Sequence, residues 1–127
     1  MDNELLLKDL CARLPYGVLV CCMNEYNYIS YLTTGILRQL QSENRPYVIL
    51  PYLRPMSSMT EDEHRQCFEK GILYSVDING KLHFDGFGNL NAEETIEAFD
   101  WLNSHHFDFR GLIEKKLALT AKEGMYK

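Results

Sequence analysis

Apolar residues open this chain at helical spacing. Leu6, Leu7, Leu10 and Leu14 form a stripe over Glu4–Leu14, and Lys8, Asp9 and Arg13 fall mostly off it, so the pattern predicts a helix. Asp2 or Asn3 can cap it, and Pro15 and Gly17 end it. The period then changes. Val18 to Met23 is a continuous apolar run rich in β-branched and cysteine residues, short enough for a strand. Asn24 to Asn27 reads as a turn. Tyr28 to Leu40 has β-rich character, with Gly35 marking a bulge or bend, and predicts one long bent strand or two short ones. A helix over Gly35–Gln41 is the competing reading. Gln41 to Arg45 is a polar turn. Tyr47 to Leu53 is a further strand, in which Pro51 must lie at an edge, at a bulge or beyond the strand end, because proline donates no ladder bond.

The second half carries sharper local signals. Thr60 with Glu63 three residues on forms a capping box, followed by a helix to about Lys70 that stops at Gly71. Asn79-Gly80 lies between the alternating runs Ile72–Ile78 and Lys81–Phe87, which predicts a hairpin closed by a two-residue turn with both residues at positive φ. Asn91 and Glu94 form a second capping box. They start a last helix to about Ser104, with Ile96, Phe99 and Leu102 as its stripe and Trp101 beside it. Leu117-Ala118-Leu119 can form a short final strand, and the tail from Thr120 is expected to be ordered only in part. The predicted order is α-β-β-β-α-β-β-α. Strands clustered between helices argue for a single α+β domain, residues 1–127, with an antiparallel sheet packed against about three helices.

Composition narrows the function. Of 127 residues, 46% are hydrophobic and 24% charged, near the globular average, so one core can form. The net charge is −5, and the thirteen basic residues are scattered. A nucleic-acid or anionic-membrane surface needs a cationic cluster, so neither partner is expected. Leu5-Leu6-Leu7 is too short for a signal core, and Asp2 and Glu4 stand where positive charge belongs; the reading is cytoplasmic, with Cys11, Cys21, Cys22 and Cys67 as thiols. No Cys-x-x-Cys pair suggests zinc or redox chemistry.

Candidate chemistry concentrates near the C-terminal end. His105, His106 and Asp108 supply imidazoles and a carboxylate, but a metal needs further ligands, which His64, His83 or Asp85 would have to bring through the fold. Helix C-capping by imidazole is the plainer account. Asp108 and Arg110 suit a structural ion pair. Ser57-Ser58 sits beside a cap, not in a nucleophile elbow. Asp85 to Asn89 is glycine-rich but lacks the phosphate-loop lysine. Glu61, Asp62 and Glu63 lack the extra oxygens calcium needs and suit a helix start. Tyr26, Tyr28 and Tyr31 alternate with polar residues near a turn, so some must face water, and tyrosine favours interfaces. No cofactor is indicated. Tyr26, Tyr28, Tyr31, Trp101, His105, His106, Asp108 and Arg110 are the candidate binding residues. The expected role is non-enzymatic, contacting another protein or a second copy of the chain; the alternative is a small hydrolase using His105, His106 and Asp108.

Three strings resemble a known family. PYLRPMSSMTEDE (51–63), DWLNSHHFDFRGLIEKKLAL (100–119) and LLLKDLCARLPYGV (5–18) are similar to short, functionally uncharacterised proteins of phages, prophages and mobile elements of anaerobic gut bacteria. The strings cover a little over a third of the chain. Lys116 stands where the family pattern has glycine. The resemblance implies an accessory gene of a phage or mobile element, and no activity.

Overall fold

A computed structural model describes residues 3–23, 27–40 and 48–126. The architecture is α+β. The elements are α1 (Asn3–Arg13), β1 (Leu19–Met23), β2 (Tyr28–Tyr31), α2 (Thr34–Leu40), β3 (Val48–Leu53), α3 (Glu61–Glu69), β4 (Ile72–Val76), β5 (Leu82–Phe87), α4 (Ala92–Ser104) and β6 (Leu119–Thr120). Short 3₁₀ turns occupy Leu14–Tyr16 and Met56–Ser58. The predicted turns at 24–26 and 41–45, and the Asp2 cap, lie outside the described residues.

The strands form two sheets. One has four strands in the order β2-β1-β3-β6, and the other is the β4-β5 hairpin. β2 and β3 both run antiparallel to β1, but β6 runs parallel to β3, so the first sheet is mixed. Pro51 stands opposite Val20, within β3. β6 pairs only with Tyr52 and Leu53, so Pro51 has a neighbouring strand on one side alone. This is the edge environment that its missing N–H requires.

The chain from Tyr28 to Leu40 corrects the leading expectation. Only Tyr28–Tyr31 is strand, and Thr34–Leu40 is helix, with Gly35 inside its first turn. The Thr33 hydroxyl accepts the Ile36 N–H at 3.2 Å and the Thr33 carbonyl accepts the Leu37 N–H at 3.1 Å. This local cap outweighs the weak β propensity of the segment. The order of elements changes accordingly, with four helices in place of about three.

Both capping boxes form as expected, on Thr60/Glu63 and Asn91/Glu94. The hairpin also forms, but its turn differs. Asp77 N–H donates to Lys81 C=O at 2.9 Å, so three residues, Ile78 to Gly80, make the loop. Gly80 alone is left-handed, at φ +79. The Asp77 carboxylate accepts the N–H groups of Asn79 and Lys81 at 2.8 and 2.9 Å, which stabilises the three-residue form over the tighter turn.

Buried apolar side chains form two clusters. One lies between α1, α2 and the large sheet and includes Leu6, Leu10, Val20, Ile49 and Leu112. The other joins α3, α4 and the hairpin and includes Cys67, Ile72, Trp101, Leu102 and Phe107. Both helix stripes are rotated from the expected ones. The buried face of α1 carries Leu6, Asp9, Leu10 and Arg13, with Asp9 and Arg13 fully buried. In α4 the buried residues are Ala98, Trp101, Leu102 and Asn103, while Ile96 is 61% exposed.

Candidate functional site

The block after α4 is built by how that helix ends. His106 N–H donates to Asn103 C=O and Phe107 N–H to Leu102 C=O, both at 3.1 Å, with His106 at φ +63. This double bond pattern around a left-handed residue is a Schellman close, normally made by glycine. It separates the two histidines. His105 keeps its Nδ1 on Trp101 C=O at 2.9 Å, and its ring packs against that of Trp101 with centroids 4.5 Å apart. A carbonyl can only accept, so Nδ1 carries the proton. His106 turns inward, buried, with its ring 3.7 Å from that of Tyr126. Burial, reinforced by the nearby charges of Arg13, Arg54 and His105, pushes its pKa down to about 4, so it stays neutral at pH 7.

Asp108 and Arg110 do not pair with each other. The Asp108 carboxylate accepts the N–H groups of Leu112 and Ile113, at 2.8 and 3.0 Å, and starts a helical turn. That turn closes on Lys116 N–H to Ile113 C=O and Leu117 N–H to Leu112 C=O, with Lys116 at φ +62. The tight turn is therefore made with a lysine at positive φ, a conformation that glycine adopts more readily. Arg110 reaches back to α1, donating to Asp9 at 2.6 Å while its guanidinium lies 4.3 Å over Phe109. Asp9 also accepts from Arg13 at 2.7 Å, and Arg13 donates to Phe107 C=O at 2.6 Å.

Arg54, which sequence reasoning did not single out, ties the same block to α3. Its N–H donates to His106 C=O and its C=O accepts from Asp108 N–H. Its guanidinium lies 4.3 Å over Phe107 and holds both carboxylate oxygens of Glu63, at 2.8 and 2.7 Å. That bidentate pair, with the Thr60 N–H, lowers the Glu63 pKa to about 2 despite burial. The signal was present: a lone arginine between an apolar strand and Pro55 needs a partner. The three strings of the resemblance thus meet in space, at Asp9 and Arg13, at Arg54 and Glu63, and at His106 to Arg110. Trp101 is 7% exposed and donates to the Gln66 side chain at 2.9 Å, so it packs against α3 rather than the sheet.

This geometry joins segments but gathers no reaction centre. His105 borders a groove with Arg54 and Glu63, Asp108 borders a different cleft beside the hairpin, and His106 lines neither. Among the described residues no group of three or more His, Cys, Asp or Glu side chains is placed to hold a metal. His64 bonds the Tyr74 hydroxyl and His83 bonds Asp77. No helix among the described residues is long and apolar enough to cross a membrane.

The tyrosines lie elsewhere. Tyr26 falls outside the described residues. In the sheet, directly opposed residues share a face. The pairs Leu19/Tyr31, Cys21/Ile29, Cys21/Leu50 and Met23/Val48 therefore all project to one side, with Tyr52. Val20, Cys22 and Ile49 project to the other and are fully buried. Tyr28 projects to this second side, at the rim. The outer face carries no charged residue on these three strands. Tyr31 is 64% exposed, Val48 48% and Ile29 46%. Such sheets usually alternate apolar-in with polar-out. The sequence signal was a Val18–Met23 run apolar at both parities. Comparison with protein-family models, curated proteins and solved structures gives no match.

Proposed function

We propose that this is a non-enzymatic binding protein that contacts another protein, or a second copy of itself, through the outer face of β1, β2 and β3. One observation carries the reading: the outer face of these three strands contributes no charged side chain, and Ile29, Tyr31 and Val48 on it are about half exposed or more, while Lys122 of the C-terminal segment covers Tyr52. Exposed apolar surface of this kind marks interaction sites, and a tyrosine at its rim suits an anchoring role. The formal charge of −5 and scattered basic residues fit a protein partner better than nucleic acid. The resemblance to phage and mobile-element proteins supports an accessory role inside a bacterial cell. The hydrolase alternative lacks such support. Asp108 is engaged by two backbone N–H groups, and His106 is buried away from both grooves.

The test compares the wild-type protein with Ile29→Lys/Tyr31→Lys. Both positions face outward, so the variant should keep its melting temperature. Sedimentation and affinity capture with quantitative mass spectrometry should show a partner, or a dimer, that the variant loses. Identical capture and identical mass for both proteins would contradict the proposal.

A further inference from the structure

A second site, independent of the sheet face, lies between the hairpin and the segment after α4. It is a cleft of about 320 Å³, at the lower end of ligand-pocket sizes. Met56, Phe84, Phe109 and Ile113 supply apolar wall, and Arg110 and Lys81 supply cationic groups. The wall is fixed: Phe84 and Phe109 meet edge to face at 5.4 Å, and Phe109 is clamped under Arg110. Both acids of the cleft are already engaged. Asp108 accepts two backbone N–H groups, and Glu114 lies 3.6 Å from Lys81 across the mouth. Arg110 is different. It spends Nη1 on Asp9, while Nε and Nη2 make no hydrogen bond among the described residues, and its side chain is 15% exposed. A partly dry guanidinium with donors to spare, beside an aromatic wall, matches one chemistry.

We propose that this cleft binds a small carboxylic acid with an aromatic or apolar body. The body lies against Phe84, Phe109 and Ile113, and the carboxylate takes the free donors of Arg110, while Lys81 stays on Glu114.

The probe is 4-phenylbutyrate, titrated into ¹⁵N-labelled protein at pH 7, with 4-phenylbutanol and 4-phenylbutylamine as controls. Amide shifts should concentrate on Leu82 to Phe84 and Phe109 to Ile113. The acid should bind at least about tenfold more tightly than the alcohol, since an ionised hydrogen bond is roughly twice as strong as a neutral one. Ser57 is exposed on the cleft rim, so Ser57→Trp should block the site without disturbing the core. Ile29→Lys/Tyr31→Lys should leave acid binding unchanged, which separates this test from that of the sheet face. The proposal fails if no shifts appear, if they map elsewhere, if Ser57→Trp binds equally well, or if the alcohol or amine matches the acid.

Discussion

Removing the charge of Asp9 should destabilise this protein more than any surface change. Its carboxylate is fully buried and takes a hydrogen bond on each oxygen, 2.7 Å from Arg13 and 2.6 Å from Arg110. Arg13 is fully buried too. Asp9→Leu would leave a guanidinium in apolar surroundings without its counter-charge. Bonds to charged groups contribute roughly 1.5–3 kcal/mol each, and breaking a buried ion pair costs about 3–5 kcal/mol, so the expected loss is about 3–5 kcal/mol. Against a total of typically 5–15 kcal/mol, that lowers the urea midpoint severely. Arg13→Met should cost a similar amount. The double variant removes both charges and should lose at least about 1 kcal/mol less than the sum of the singles. Urea unfolding of all four proteins, followed by Trp101 fluorescence, measures this cycle. Asp9→Leu within about 1 kcal/mol of wild type, or strictly additive losses, would refute the reasoning.

Gly80→Val should cost more than about 1 kcal/mol by φ strain alone, since nothing lies within 4 Å of an added Cβ; thermal melts check it. Lys116→Gly should do the reverse and raise the melting temperature slightly, because Lys116 holds φ +62. The neutral form of His106 contributes stability that is complete above pH 6.5 and is lost as pH falls toward 4; for Glu63 the corresponding loss runs from 4.5 toward 2. Unfolding free energies at pH 7 and 5 should therefore differ by about 2 kcal/mol more in wild type than in His106→Asn; equal differences would count against a buried, neutral His106. Trp101→Ala should cost roughly 3–5 kcal/mol, given its burial and bond to Gln66, and a variant with unchanged melting temperature would contradict that packing.

What the sequence revealed was local. The caps at Thr60 and Asn91 depend on residues three apart, and the hairpin on one contiguous stretch, so both were legible. The loop size was not, because it depends on the Asp77 side chain folding back over its own turn. The helix at Thr34–Leu40 was misjudged where β-branched residues hid a cap on Thr33. The burial of Asp9 could not be read at all. Its second partner, Arg110, lies 101 positions away, and a charged residue is ordinarily assigned to the solvent face of a helix. The His105–Arg110 block was correctly marked as dense, but its left-handed His106 separates side chains that adjacency in sequence suggested would act together.

A photo-crosslinking side chain in place of Tyr31, in protein expressed in a bacterial host, tests the binding role most directly, with the same group at exposed Lys115 as control. A specific covalent adduct from position 31, with another protein or with a second copy, and none from position 115 is the expected result. No adduct from position 31, or the same adducts from both, would contradict a binding role for the sheet face.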